Sequence, residues 1–577
     1  MNNASAAGDR RMAALAWTLA MVPALVLVLY VALYAVNGPE WDHVNSAEIF
    51  DRWDRGEFTF EYLFRQHNEH RKAAPRLVIL GLGKLTRWDN RAENFMHLAL
   101  MAGTALILFA AFRRDAALTD SRPRALLWFV PVAWLLASPR SYDALLGDGF
   151  PHYLSIIAFA GALCALAFSR PSARALAAAI ACGLVASFSI SNGLLVWPIG
   201  LLLLLADARV DPPRGLTWRR ALIWGAAGAI TIAAYFHGYK DPGNHSSPRF
   251  LLEHPSIALR HFLAVNGSSL APDLHGALAA GAIVLLLDAV FLGLVLDDWW
   301  RRRERPPFGA WLIVTVLVSS MMITLNRAGF GVEQALASRY TGVSVLAPIG
   351  LYWIAVARRD RWRIARPMTV SLATLMVLGY LAASVDAWAI APERNSRRRW
   401  MGYLMYSAKY QPSSLLDKLY PNPDHARIYS ADMERLRYNV FADSHVSPDG
   451  LVPGGARPEF SVETINGDPA DGNTTIAIGE TAAVVVDGWA FNGASTGPAR
   501  AVFLTIDGTR QLPAHVGVYR PGLGGDIRRR SRRWSGFIGS FGGFVLQPGE
   551  HTLAVTIVSD DGTHTFVTAP VARIVRR

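Results

Sequence analysis

Residues 13–36 read AALAWTLAMVPALVLVLYVALYAV, and residues 37–43, NGPEWDH, follow directly. This stretch decides the fold. Twenty-four apolar positions without a charge are enough to cross a bilayer as one helix. They are too many for the core of a signal peptide, and no small-residue cleavage site follows, so the segment reads as a retained anchor. The polar exit opens a loop that runs to residue 91.

Working outward, the same signal recurs at 92–112, 124–138, 150–169, 173–190, 193–205, 221–237, 277–296, 308–325, 342–357 and 367–390. This predicts an α-helical polytopic membrane domain with about eleven transmembrane helices. Composition agrees. Of 577 residues 52% are hydrophobic and 18% charged, where a soluble chain carries about 25% charge. This excludes a disordered chain and weighs against an ordinary soluble enzyme. The net charge of +12 has a topological reading. Arginines crowd alternate short loops, at 113–114, 122–124, 209–220, 301–305 and 358–366. These loops are about three times as rich in basic residues as those on the opposite side, which sets the N-terminus inside and the C-terminus outside. The excess is therefore no sign of nucleic acid. The scarcity of lysine (Lys72, Lys84, Lys240, Lys409 and Lys418) fits a GC-rich bacterial genome, and the expected location is the bacterial inner membrane. Cys164 and Cys182 lie in apolar runs and suggest neither a disulfide framework nor a CxxC metal site.

Three domains are expected: a transmembrane domain over 1–391, a juxtamembrane helical linker over 392–454, and a periplasmic β-domain over 455–577. Pro453-Gly454-Gly455 marks the last boundary. Beyond it, runs at 482–489, 500–506, 544–546 and 551–558 alternate or are β-branched, with turn signals at Asp507-Gly508, Pro548-Gly549 and Asp561-Gly562. The spacing predicts an all-β sandwich or jelly roll. Trp489, Tyr519 and Trp534 are its carbohydrate-binding candidates, each equally readable as a core residue. Arg528, Arg529, Arg530, Arg532 and Arg533 form a basic cluster that suits an anionic glycan, a lipid headgroup or a solvated turn.

The first outer loop, 37–91, holds as many acids as bases, which suits an internally paired, folded loop. Within it, 46–63 reads as an amphipathic surface helix with Ile49, Phe50, Trp53 and Phe60 toward lipid. A carboxylate at membrane-surface depth is a candidate general base on a hydroxyl. Asp42 is the first choice for this catalytic role, Glu69 the second, and Glu40 a weaker one that otherwise pairs with an arginine. His43, His67, His70 and Arg71 are candidate substrate contacts. His67 and His70 lack the helical i, i+4 spacing of a zincin, so no metal is assigned. A second outer loop, 326–341, carries Arg327, Arg339 and Tyr340, and a guanidinium there matches a lipid phosphate. The polar break around Asn192 can line the same cavity, and residues 147–152 (GDGFPH) add an acid and a histidine. Residues 81–86 (GLGKLT) look like a P-loop fragment but lack the upstream glycine.

One helix, a large loop opening with Trp41-Asp42, many further helices and an outer β-domain resemble the GT-C class of polytopic glycosyltransferases. The stretches 191–198 (SNGLLVWP) and 337–340 (ASRY) are similar to those of bacterial membrane proteins of this kind. The nearest layout is that of bacterial arabinofuranosyltransferases with a C-terminal carbohydrate-binding module. The resemblance implies a polyprenyl-phosphate-linked sugar donor, a glycan or glycolipid acceptor, membrane lipids as surroundings and no cofactor. It puts Asp42 in the place of the first-loop catalytic acid, as a single Asp beside His43, and Arg339 at the donor phosphate. Three other readings stay open: a polysaccharide polymerase or ligase using a lipid-pyrophosphate donor, a transporter or flippase, and a glycan-binding surface protein. The apolar runs look nearly free of ionisable residues, which weighs against a carrier.

Overall fold

The computed structural model describes residues 3–115, 122–141, 145–170, 172–210, 215–243, 248–447, 451–454, 457–470, 474–491, 498–523, 532–560 and 562–577. Each of the eleven apolar runs coincides with a helix: α1 Asn3–Tyr34, α2 Asn90–Arg114, α3 Arg122–Leu136, α4 Phe150–Phe168, α5 Ala173–Ser187, α6 Val196–Val210, α7 Gly215–Phe236, α8 Leu274–Arg302, α9 Phe308–Arg327, α10 Leu346–Ala357 and α11 Ala365–Tyr406. Among the described residues, eight helical segments are long and apolar enough to cross a membrane, while Arg124–Leu136 and Ala173–Ser187 are shorter. Leu25, Leu222, Ile230, Leu286 and Val385 are exposed on these helices. Apolar side chains facing outward around an apolar core are what a lipid surround stabilises. The helices therefore have the length and surface of a membrane protein.

The chain divides into two compact units. The first, here the helical unit, comprises Met1–Leu33, Thr59–Val78 and Glu93–Ala389. The second, the tail unit, comprises Tyr34–Phe58, Ile79–Ala92 and Ile390–Arg577. The loop 37–91 is thus shared between them.

In the helical unit, α4, α6, α9 and α10 surround one core, and α10 is buried along its whole length. A short helix, Pro255–Gly267, packs on α8 with backbone touching backbone. A Cβ on Gly267 would come within 1.9 Å of the Ala277 carbonyl oxygen, and one on Gly281 within 1.9 Å of that of Leu263. Only glycine permits this approach. At the arginine-rich ends, Asp298 meets Arg302 and Arg358, and Asp207 meets Arg305 at 3.0 Å.

The third stretch of the tail unit begins within α11, at Ile390. This helix runs unbroken through Pro392, where the sequence suggested that the transmembrane helix ends. Short helices Ser413–Leu419 and Pro423–Leu436 follow. The expected surface helix over 46–63 is instead two pieces, Ala47–Asp54 and Phe60–Phe64. Ile49 and Phe50 do not face lipid. They are buried, with the Phe50 ring against Trp88 and Tyr438. The loop is paired partly within itself, through Arg52–Glu48 and Arg55–Asp51, and partly to the tail helices. Glu40 pairs with Arg397, while Arg435 bridges Asp51 and Asp54 at 2.8 and 2.6 Å. Asn439, at φ 55°, donates to the Trp88 carbonyl and to Asn90.

The β-domain has eleven strands among the described residues: β1 Val452–Pro453, β2 Glu459–Ile465, β3 Asp468–Pro469, β4 Thr475–Ile478, β5 Ala483–Phe491, β6 Ala501–Ile506, β7 Arg510–Val518, β8 Gly536–Gly542, β9 Gly549–Val558, β10 His564–Val567 and β11 Ala572–Arg576. Two packed sheets were expected. One continuous sheet is found, in the order β1-β10-β9-β6-β7-β8-β5-β2-β3, with β11 joining β9 to β4. The sheet forms a half-barrel, continuous through β7, which pairs with β6 on one edge and β8 on the other. The inward positions Val484, Val486, Leu504, Phe537, Phe541 and Val555 fill its core. The strand expected at 544–546 is a 3-10 turn, Gly543–Val545, and the preceding Gly536–Gly542 takes the strand position.

Candidate functional site

The loop 59–78 of the helical unit folds back on itself at His67 and His70, whose backbones exchange two hydrogen bonds of 2.7 and 2.9 Å. Asn68 takes a left-handed φ of 49° at the turn, a conformation that Asn tolerates. Two arginines brace the loop. Arg71 donates to the carbonyls of Tyr235, Phe64 and His237, at 2.6, 2.8 and 2.6 Å. Arg76 donates to those of Tyr62, Leu63 and Arg65. With every guanidinium nitrogen bonded to backbone, Arg71 is a strut, where the sequence offered it as a substrate contact.

The braced turn presents Glu69 and His70. The Glu69 carboxylate pairs with Arg327, at the end of α9, and lies 3.6 Å from His70 Nε2. The His70 Nδ1 accepts from the Ser191 backbone N–H at 3.2 Å. This bond ties the turn to the polar break Ser191–Leu195, where Asn192 sits half-buried. The break is possible because Gly193 touches α5: a Cβ there would lie 1.9 Å from the Ala186 carbonyl. Lys72 Nζ lies 3.6 Å from Asp148. His152, on the first turn of α4, is within electrostatic reach of Arg339, His70, Asp148 and Lys72.

Arg339 and Tyr340 come from a run of 3-10 turns after α9. A small apolar cluster of Ala264, Val265, Ala277, Ile323, Ala335 and Tyr340 anchors this run on the Pro255–Gly267 helix and α8. Buried polar pairs lie beneath it: His261 with Thr324 at 3.1 Å, and Ser268 with Ser344 at 3.2 Å. Burial lowers His261 to about 4, so this ring is neutral at physiological pH. The exposed Arg339 guanidinium bonds only to the Tyr340 hydroxyl, at 3.4 Å, and pairs with no carboxylate among the described residues.

Of the residues singled out in the sequence, Glu69, His67, His70, Arg327, Arg339, Tyr340 and Asn192 thus share the helical unit, joined there by Lys72, Asp148 and His152. The resulting surface offers a carboxylate beside an imidazole, and cations that exceed the acids. That combination can hold an oxyanion and accept a proton.

Asp42, Glu40 and His43 lie in the other unit. Asp42 is exposed on the 3-10 turn Trp41–Ser46, whose first residue has φ 54°. Burial raises the Tyr420 hydroxyl pKa, as do Asp42 and Glu48 beside it. His43 is buried, its Nε2 3.4 Å from the Asn90 amide and its ring edge-on to Trp88. It packs the interior and offers no ring to a ligand.

In the half-barrel, Trp489 stands on the outward face of β5, stacked on Phe491 at 4.8 Å. Tyr519 and Trp534 meet at 5.0 Å. All three are half-buried, and none belongs to the apolar core cluster of the sheet. Arg532 lies over the Phe491 ring at 4.3 Å. Arg528, Arg529 and Arg530 lie outside the described residues. No group of three or more His, Cys, Asp or Glu side chains suited to a metal ion occurs among the described residues.

One buried group escaped the sequence reading. Asp288 sits at the centre of α8, 1% exposed, and neither carboxylate oxygen has a hydrogen-bond partner among the described residues.

Set against protein-family models, curated proteins and solved structures, the chain matches none.

Proposed function

We propose that this chain is a multi-pass glycosyltransferase of the bacterial plasma membrane. It takes a sugar from a polyprenyl-phosphate donor and transfers it to a glycan or glycolipid acceptor on the outer face. All eleven helices cross the bilayer, the N-terminus lies in the cytoplasm, and the β-domain lies outside, following the arginine distribution. One observation carries the reading: Glu69 beside His70 and Arg327, with Arg339 and Lys72 close by. The acceptor hydroxyl gives its proton to Glu69 as its oxygen attacks the anomeric carbon. The bond from that carbon to the phosphate oxygen breaks in the same displacement, with inversion. Arg339 and Lys72 hold the charge that grows on the departing lipid phosphate. Asp42 is the alternative base. The half-buried aromatics Trp489, Tyr519 and Trp534 serve as a sugar platform for the acceptor.

The test is the envelope glycan of a deletion strain complemented in turn with wild type, Glu69→Gln and Asp42→Asn, read by mass spectrometry. The reading expects a missing sugar that wild type restores and Glu69→Gln does not. Restoration by Glu69→Gln with failure of Asp42→Asn moves the base to Asp42. Restoration by both variants, or an unchanged glycan in the deletion strain, overturns transfer.

A carrier is the second reading, and Asp288 favours it. An unpartnered carboxylate at mid-helix is a usual site for ion or proton coupling. Uptake of a labelled lipid-linked sugar into vesicles that depends on Asp288 would establish it.

A further inference from the structure

The tail unit contains a cavity of about 630 Å³ that the proposed transfer does not use. Its walls are the last turns of α11, residues 440–446, Asn37 and Arg91, and the facing ends of β6 and β7. The size lies in the range of small-molecule sites, and suits a mono- or disaccharide.

The charge of the lining is unequal. Three arginines reach it, Arg91, Arg399 and Arg500, against one carboxylate, Asp443. Asp443 is already engaged by Arg91 at 3.4 Å and by the Asn37 amide at 3.2 Å. Arg399 bonds through Nε to the Asn395 side chain at 2.9 Å, which leaves its two terminal nitrogens. The Arg500 side chain pairs with no carboxylate among the described residues, and its backbone N–H is held by Val558 in the sheet. Arg399 and Arg500 thus border one cavity as exposed guanidiniums, Arg399 on α11 and Arg500 just before β6, and neither pairs with a carboxylate among the described residues.

Two further features point to a ligand with hydroxyl groups. His515 lines the cavity, is buried, and has no hydrogen-bond partner for Nε2 among the described residues. Such an atom usually has a partner in the working state. The Tyr406 ring, stacked on His445 at 3.9 Å and 22°, gives a flat aromatic wall. The C–H face of a sugar ring packs on such a surface.

We propose that this cavity binds an anionic saccharide, with its carboxylate or phosphate between Arg399 and Arg500, its ring on Tyr406 and a hydroxyl on His515 Nε2. The cavity residues belong to the tail unit and Glu69 to the helical unit, and binding there needs no transfer reaction.

The test uses the full chain in lipid nanodiscs and four probes in isothermal titration: glucuronate, glucose 6-phosphate, glucose and inorganic phosphate. At least one of the two acidic sugars is expected to bind tenfold or more tightly than both glucose and inorganic phosphate. Which acidic sugar wins separates a carboxylate source from a phosphate source. Arg399→Ala and Arg500→Ala should each weaken that binding about tenfold, with unfolding temperatures near that of wild type. Arg500→Lys checks folding if the alanine variant fails. Glu69→Gln should bind the probe as wild type does even where it abolishes transfer, so failure of one reading leaves the other distinguishable. Equal binding of glucose, equal binding of inorganic phosphate, no binding of either acidic sugar, or binding indifferent to both arginines would each overturn the proposal.

Discussion

Glu69 and Arg327, 258 positions apart in the chain, form an ion pair from which solvent is largely withdrawn. The pair ties the first loop to the end of α9. Without Arg327 the carboxylate would stay partly buried and lose this ion pair. The Arg327→Ala variant should therefore lose about 1–3 kcal/mol of stability. The double variant with Glu69→Gln should lose less than the sum of the two single changes, because the stranded charge is gone. Thermal unfolding in detergent for the four-member cycle measures this, and strict additivity would show that the pair contributes nothing.

Arg339 differs in kind. It is exposed and meets no carboxylate among the described residues. Arg339→Ala should leave stability within about 0.5 kcal/mol. Affinity for a polyprenyl-phosphate donor should fall roughly tenfold or more, as expected when a charge-assisted contact to phosphate is removed. An unchanged donor Kd in a lipid-binding titration would take Arg339 out of the site.

Asp288 carries the opposite expectation. A buried polar group without a partner costs about 1–3 kcal/mol. If Asp288 has no ligand, Asp288→Leu should raise the unfolding temperature in detergent. A marked fall would show that the carboxylate has an occupant, and would strengthen the carrier reading.

The tail unit has a pH response with a defined sign. Burial, with Arg399 close by, pushes His515 down to about 3 from its usual 6.5. The folded state keeps the ring neutral while the unfolded chain takes up a proton below about 6.5. The stability is complete above that pH and is lost as pH falls toward 3, at up to about 1.4 kcal/mol per pH unit. His515→Gln should flatten the change in unfolding temperature between pH 7.5 and pH 5. An equal drop in the variant would assign the effect to other groups.

The helices were legible because membrane length is a local property of composition: all eleven runs from 13–36 to 367–390 meet a helix. The β-domain was legible as strands and turns, but its closure was not. Its closure depends on pairs distant in sequence, such as β5 with β8 and β6 with β9. The first loop misled for the same reason. Asp42 and Glu69 look like neighbours in one segment, yet they belong to different units. Ile49 and Phe50 have the spacing of a lipid-facing stripe, and periodicity cannot tell lipid from the Trp88 and Tyr438 rings. Arg71 offers a free guanidinium in sequence and none in space, because backbone carbonyls leave no mark on composition. Asp288 was overlooked because one acid barely changes the hydropathy of a 29-residue helix.

The tail unit is assembled from three stretches of chain, and the ribosome makes them at different times. Roughly 300 residues separate Ala92 from Ile390, and at about 5–20 residues per second they take roughly 15–60 s to synthesise. Throughout that interval Val44, Ile49 and Phe50 are already made, while the tail helices that share their unit do not yet exist. For that time these side chains lack the partners that bury them, and a chain ended before residue 390 would offer this loop to proteases.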